Sequence, residues 1–279
     1  MRIYLRGHTG YLGSWIHQYF SEKGYDLQTI KVDVTDLDQV RKALENVQGS
    51  TVINATGKTG KPNVDWCEDH RLETAQVNIT GAINVAQMAS EQGNYVIHIG
   101  SGCIFSGPAE KAFTEEDEPN FFGSFYSQTK AVSEGALKEI PNVCVLRIRM
   151  PLQGVPNPKN LLDKLLQYKK ILNVPNSVTI IEDFLPFLER VIEKKPTGVL
   201  NAVNPGMYEH RDLLELYRQK IDPSRTFEYI GLEEFAGMTK AERSNCVLSA
   251  ALSEKMGIAM PPVSQSLPLL IDRYRVSRP

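Results

Sequence analysis

Gly7-His8-Thr9-Gly10-Tyr11-Leu12-Gly13 is the stretch on which the reading of this chain turns. It follows Arg2 to Leu5, a short apolar run that reads as a strand. It leads into Leu12, Trp15, Ile16, Tyr19 and Phe20, which recur at helical spacing until Gly24 is placed to stop them. A glycine-rich turn between a strand and a helix lets the backbone approach a pyrophosphate, whose charge is favoured at the helix N-terminus. Gly7, His8, Thr9, Gly10, Tyr11, Leu12 and Gly13 are therefore candidates to hold a dinucleotide.

Outward from this turn the pattern alternates. Asp26 to Val34 reads as extended, Thr35 or Asp36 caps a helix with the apolar face Leu37, Val40, Leu44 and Val47, and Thr51 to Ala55 is a third strand. A polar loop follows from Gly57 to Trp66, then one long helix over Glu68 to Gln92, then a strand over Tyr95 to Ile99. Further on the pattern predicts a helix over Ser124 to Leu137, a strand over Val143 to Ile148, a loop with three prolines over Pro151 to Pro158, a helix over Ile181 to Glu193 and a strand over Gly198 to Val203. Beyond Pro205 the register loosens into short helices and loops. Alternating strands and helices imply an α/β fold of the Rossmann type, a doubly wound parallel sheet, with a smaller C-terminal substrate lobe. The expected division is 1–150 for the dinucleotide-binding domain with return segments at about 171–203, and 151–170 with 204–279 for the lobe.

Composition narrows the partners. The chain has 279 residues, 42% hydrophobic and 23% charged, with a formal net charge of -2. These are the proportions of a globular protein and offer no broad basic surface to nucleic acid or to an anionic membrane. No apolar run is long enough to cross a bilayer, and Met1 runs straight into a strand-like stretch without a signal-peptide layout. Cys67, Cys103, Cys144 and Cys246 show neither metal-ligand nor disulfide spacing, and the histidines show no metal spacing, so no metal is expected and a cytoplasmic setting is.

Tyr126-Ser127-Gln128-Thr129-Lys130 puts a tyrosine and a lysine one helical turn apart on one face. Hydride addition to a ketone builds negative charge on oxygen, and a positioned phenol can donate the proton. A free tyrosine titrates at about 10, and an adjacent ammonium lowers that value. Lys130 can also bond the nicotinamide ribose. Ser101 follows the Tyr95 to Ile99 strand, where its hydroxyl can hold the substrate carbonyl. Ser101 and Cys103 are two apart and face the same side of an extended segment. A cysteine there can move a proton at the carbon alpha to the ketone if neighbouring positive charge lowers its pKa, but on the residues alone the reading of a small buried hydrophobe, common for a free cysteine, is favoured.

The second strand ends at Gln28-Thr29-Ile30-Lys31, where an acidic residue would bind the ribose hydroxyls of NAD. Lys31 suits a 2′-phosphate better, so NADPH is expected over NADH. Asp33 and Val34 lie where such folds contact adenine. Ala55, Thr56 and Gly57 end the third strand at the ligand-binding edge and join the cofactor candidates. Asn78 joins them too, since a mid-helix amide is better explained by a bond to a neighbouring strand or loop than by propensity. Lys58, Asn63 and Val64 in the following loop, Gly102, Asn176, and the guanidiniums of Arg149 and Arg243, which can grip a diphosphate, are candidates for substrate.

The glycine spacing, Ser101, Tyr126 and Lys130 resemble the extended short-chain dehydrogenases that act on nucleotide sugars. Longer segments are more specific: Gly60-Lys61-Pro62-Asn63-Val64-Asp65-Trp66-Cys67-Glu68, Gly102-Cys103-Ile104-Phe105, Leu146-Arg147-Ile148-Arg149-Met150-Pro151, Val174-Pro175-Asn176-Ser177 and Arg243-Ser244-Asn245. Together they resemble bifunctional 3,5-epimerase/4-reductases, found in plants and some large viruses, that make nucleotide-linked L-rhamnose from a 4-keto-6-deoxyglucose. The resemblance implies NADPH, a substrate such as UDP-4-keto-6-deoxyglucose, and epimerisation at Cys103 with Lys164 as the second proton-transfer group. A homodimer is expected separately, because paired helices of such sheets often make dimers. Alternatives stay open: a 4-reductase alone, a fucose-type epimerase/reductase, or a non-catalytic regulatory subunit.

Overall fold

Every strand of the alternating pattern lands in one parallel sheet. The computed structural model describes residues 1–278. Its main strands are β1 (Arg2–Arg6), β2 (Asp26–Ile30), β3 (Thr51–Asn54), β4 (Tyr95–Ser101), β5 (Val143–Ile148) and β6 (Gly198–Asn201), in the spatial order β6-β5-β4-β3-β1-β2. The sheet grows one way from β1 to β2 and the other way from β1 through β3, so a crevice opens at the carboxyl ends of β1 and β3. The central β3 and β4 are buried along their whole length, as strands covered on both faces must be.

The helices that matter below are α1 (Tyr11–Glu22), α2 (Leu37–Leu44), α3 (Gly81–Glu91), α4 (Phe125–Leu137), α5 (Leu161–Leu165), α6 (Ile181–Lys194), α7 (His210–Lys220) and α8 (Val263–Ser277). α1 and α6 cover one face, where Leu12, Ile16 and Phe20 meet Phe184, Leu188 and Ile192 over Ile3, Leu5 and Ile97. α2, α3 and α4 cover the other, with Val40, Leu44, Val85, Ala89 and Leu137 over Val52, Val96 and Val145. Asp36 starts α2 by accepting from the amides of Asp38 and Gln39, the capping its position predicts. A buried ion pair, Arg147 to Glu134 at 2.7 Å, pins β5 to α4.

The structure departs from the sequence reading in three places. The single helix expected over Glu68 to Gln92 is broken into Asp65–Asp69, Arg71–Ala75, a π turn at Gln76–Thr80 and α3. The π turn presents Asn78, whose amide bonds both the backbone of Lys58 and the hydroxyl of Thr129. Beyond Pro205 the chain holds α7, closed at its start by reciprocal bonds between Glu209 and Asp212, and the 15-residue α8. These two pack with α5 around Leu162, Leu213, Leu214, Leu267, Ile271 and Tyr274, the core of the smaller lobe. The return segment expected from 171 reaches the sheet only at Ile181: Ile171, Val178 and Ile180 are buried in the lobe core, and Lys170–Leu172 pairs with Glu228–Ile230. Among the described residues no helix is long and apolar enough to cross a membrane.

Candidate active site

The phosphate turn closes against the end of β3. Gly7 has φ +93°, and a Cβ there would lie 2.7 Å from the carbonyl carbon of Ala55. A Cβ on Gly13 would lie 2.0 Å from the Gly7 oxygen. Both glycines are demanded by close backbone approach, not by flexibility alone. No side chain caps the start of α1, so its first amides point at the crevice unclaimed. That fits a pyrophosphate. Leu12 belongs to the core, and Tyr11 is half-buried with its hydroxyl 3.4 Å from Asn160 of the lobe. Those two side chains pack, which leaves the backbone as what the turn presents to the crevice.

Around the turn the basic groups are more numerous than Lys31 alone. Lys31 is exposed, and Arg6 at the end of β1 donates to the Val32 carbonyl at 2.5 Å. Burial, with Lys31, His17 and Arg6 nearby, pushes the His8 imidazole below its ordinary range. The sequence reading missed Arg6, which shows no local motif and comes beside the end of β2 only through the pairing of β1 with β2. Asp33 spends one carboxylate oxygen on the amide and hydroxyl of Thr35, and Val34 is buried under Gly81. Thr56 leans on the Asn54 amide, Ala55 continues the β1–β3 ladder through the Arg6 carbonyl, and Gly57 lies exposed at the mouth.

Ser101 ends β4, and α4 brings Tyr126 and Lys130 to the same edge. Ser124 caps α4, its hydroxyl accepting from the Ser127 amide at 3.1 Å, which fixes where the helix begins and so where Tyr126 stands. Lys130 is 4% exposed, and its ammonium donates to the Ile99 carbonyl at 3.0 Å and faces His98 Nε2 at 3.2 Å. Burial pushes this ammonium down to about 8. It also keeps His98 well below the usual imidazole range, with Lys130 adding to the effect, so His98 is neutral and can accept. The adjacent-ammonium argument therefore does not decide Tyr126. Burial, with the Cys103 sulfur beside it, raises the phenol above its ordinary range although the Ser101 hydroxyl favours ionisation. The phenol is a protonated acid at rest. His98 was not picked out as a partner for Lys130, because the two are joined only when α4 folds over β4.

Cys103 follows in a short turn whose amide bonds the Ser101 hydroxyl at 3.1 Å. Its sulfur receives an N–H from Arg149 at 2.8 Å. Arg149, expected at the diphosphate, is 1% exposed and turned inward. Its five N–H donors are all spent: Nε and Nη2 on the Asn176 amide oxygen at 3.2 and 2.5 Å, Nη2 also on the Ser244 carbonyl, and Nη1 on the Ser244 hydroxyl and on Cys103. No donor remains for phosphate. Asn176, likewise expected to touch substrate, is 1% exposed and supports Arg149 instead. Gly102 is glycine for packing, since a Cβ there would lie 2.6 Å from Leu248.

The loop after β3 faces the tail. Asp65 pairs with Arg243 at 2.9 Å and accepts from the Ala241 amide, so Arg243 reaches the loop that carries Asn63 and Val64. The Lys58 ammonium lies 5.1 Å over the Trp66 ring and pairs with Glu73. The Asn63 side chain accepts from the Asp65 amide at 2.8 Å, holding the loop's own turn. Lys164 lies half-buried on α5, its ammonium lowered by burial and by Lys159. Among the described residues no hydrogen bond joins it to Cys103.

Comparison with known proteins agrees with this architecture. The chain is 40% identical over 251 residues to a bifunctional dTDP-4-dehydrorhamnose 3,5-epimerase/dTDP-4-dehydrorhamnose reductase of Arabidopsis thaliana, a match covering 88% of this chain and 83% of that one. It is 36% identical, over 96% of its length, to 41% of a trifunctional UDP-glucose 4,6-dehydratase/UDP-4-keto-6-deoxy-D-glucose 3,5-epimerase/UDP-4-keto-L-rhamnose-reductase of the same plant. The crystal structure of a UDP-rhamnose synthase from Acanthamoeba polyphaga mimivirus superposes with a TM-score of 0.93 at 28% identity, covering 98% of this chain and 99% of that one. Residues 1–185 match the RmlD substrate binding domain family, to which this chain belongs.

Proposed function

We propose that this protein uses NADPH to reduce the C4 ketone of a nucleotide-linked 4-keto-6-deoxy sugar, after inverting C3 and C5 of the same sugar. The substrate of this reading is UDP-4-keto-6-deoxyglucose and the product UDP-L-rhamnose. The observation that carries it is the convergence of Ser101, Cys103, Tyr126 and Lys130 on the carboxyl end of β4, beside a turn shaped for a dinucleotide. The relatives that share this architecture, a rhamnose synthase and a bifunctional epimerase/reductase, support it.

The dinucleotide supplies hydride to C4 when bound. Ser101 holds the carbonyl oxygen, and Tyr126, kept protonated by its dry surroundings, gives that oxygen its proton. Lys130, an ammonium below about pH 8, stabilises the phenolate left behind and holds the nicotinamide ribose. Before reduction, the same carbonyl acidifies the C–H bonds at C3 and C5. Cys103 as thiolate takes a proton from one face, the electron pair delocalises onto the ketone as an enolate, and the Lys164 ammonium returns a proton to the other face. Inversion requires that donor and acceptor lie on opposite faces. Lys58, Asn63 and Val64 line the sugar side and Arg243 the diphosphate side. In this reading Asn78 shapes the cofactor wall, because its amide ties the Lys58 loop to α4. The reading extends to a homodimer in the cytoplasm.

Incubation with NADPH and UDP-4-keto-6-deoxyglucose in heavy water, with the product identified by NMR, tests the whole sequence. UDP-L-rhamnose carrying deuterium at C3 and C5 is expected. Turnover of only a pre-epimerised 4-keto-L-sugar would reduce the protein to a 4-reductase.

A further inference from the structure

Arg149 is the most completely satisfied and least exposed arginine near the site, yet its partners are unusual for a buried cation. They are an amide, a hydroxyl, a backbone carbonyl and one thiol, with no carboxylate among them. A guanidinium removed from water without an opposite charge is costly. The acidic groups that favour its charge against burial are the sulfurs of Cys103 and Cys246 and the Tyr126 phenol. Burial holds both Cys246 and Tyr126 above their ordinary ranges, so neither supplies an anion. Of the three, only Cys103 receives a hydrogen bond from Arg149, at 2.8 Å to its sulfur.

We infer that Arg149 is the positioning residue that lets Cys103 act as a base: the guanidinium is the fixed counter-ion of the Cys103 sulfur, held on it by Asn176 and Ser244. The inference rests on the proposed epimerisation at Cys103. The ionisable groups facing that sulfur are Tyr126 and Lys130 from α4, Arg149 from the end of β5 and Cys246 from the tail. Of these only Arg149 carries the same charge at every working pH, because Lys130 titrates at about 8. A charge-assisted N–H to sulfur favours thiolate over thiol and points a lone pair in a set direction. Asn176 and Ser244 come from segments flanking the lobe, so the placement of this cation depends on how the lobe sits on the sheet.

The test reads the sulfur directly, without substrate. Cys67, Cys144 and Cys246 are buried and Cys103 is not, so iodoacetamide under native conditions should report on Cys103, with the modified residue confirmed by mass spectrometry. Asn176→Asp keeps the shape of the side chain and gives Arg149 a carboxylate. It is expected to slow alkylation at neutral pH about tenfold and to move the midpoint of rate against pH upward by about one unit. Arg149→Met should shift it at least as far. If that variant does not fold, Asn176→Asp decides. A merely structural arginine would lower the melting temperature of the variants and leave the pH profile in place. Superimposable profiles for wild type and folded Asn176→Asp would therefore overturn the inference. Epimerisation is scored separately: a profile that moves, in an enzyme that places no deuterium at C3 or C5, keeps the ion pair and removes the epimerase reading.

Discussion

The phosphate turn and the Cys103 corner are two ways of building a charged site. The turn is made of consecutive residues and, in the proposed reading, would work through backbone amides and a helix terminus, with Leu12 packed in the core and Tyr11 half-buried. The corner is made of Cys103, Arg149, Asn176 and Ser244, four positions far apart in the chain, and is built from side chains with one backbone carbonyl, that of Ser244. A site of backbone tolerates changes of polarity and fails on added volume. A site of side chains tolerates some added volume and fails on a lost charge. Tyr126 stands between the two, close to the Cys103 sulfur and on the helix that carries Lys130.

Tyr126→Phe is the sharpest way to split the two regions. It removes the acid and keeps the ring, so ketone reduction should fall by about a thousandfold. Exchange of deuterium into substrate at C3 and C5 should continue, since it depends on the corner. Stopped-flow NADPH oxidation and NMR exchange measure the two halves separately. Equal loss of both would mean that a single centre performs both steps, and the division drawn here would fail.

Gly13→Ala probes the turn alone. The added Cβ would meet the Gly7 carbonyl at 2.0 Å, a distance that forces the backbone to move. The cost of such overpacking is about 1–3 kcal/mol, so NADPH should bind about ten- to a hundredfold more weakly by fluorescence titration. Alkylation of Cys103 should be unaffected. Unchanged affinity would mean that the turn is not where the pyrophosphate sits.

The pH dependence comes next in size. Burial lowers the Lys130 ammonium to about 8, and Tyr126, held high, contributes no limb nearby. kcat/KM for reduction should therefore fall about tenfold per pH unit above about 8 as the ammonium is lost. The stability effect has the opposite sense. Between about 8 and the ordinary lysine range the unfolded chain binds a proton that the folded chain does not, so stability rises with pH across that window. Lys130→Met should abolish both slopes.

This contrast also explains what could be read in advance. Gly7 to Gly13, Ser101, and Tyr126 with Lys130 are short-range patterns, fixed by strand and helix periods that the sequence displays. The same holds for α1, α2 and the six strands, whose apolar spacing is local. Residue type points Arg149 to phosphate, because a guanidinium grips it bidentately. That Arg149 and Asn176 face each other instead follows from β5 ending beside the Asn176 segment, which no local spacing reports. His98 is hidden for the same reason: it meets Lys130 only across the helix–sheet interface. The break at Asn78 was invisible because a π turn leaves the apolar period of the flanking helices nearly intact. Its one sign was a polar amide in mid-helix. Leu267, Leu270, Ile271 and Tyr274 share a face of α8, but Pro262 and Pro268 argue against a helix there; in the structure Pro262 stands at its cap and Pro268 lies in its second turn, where it gives up one backbone hydrogen bond.

Ser244→Ala carries the comparison to its smallest expected effect. Ser244 gives Arg149 two acceptors, a backbone carbonyl that any residue supplies and a hydroxyl that shares Nη1 with Cys103. Removing the hydroxyl costs one hydrogen bond from a charged donor, about 1.5–3 kcal/mol of stability. The remaining Nη1 donors then have Cys103 as their nearest acceptor, so the pairing with sulfur is kept. Exchange at C3 and C5 should drop less than about fivefold, with reduction of a pre-epimerised substrate unchanged. A loss as large as that of Asn176→Asp would place the hydroxyl itself in the proton path. The corner would then be a relay through Ser244 and not a charge held beside a thiol.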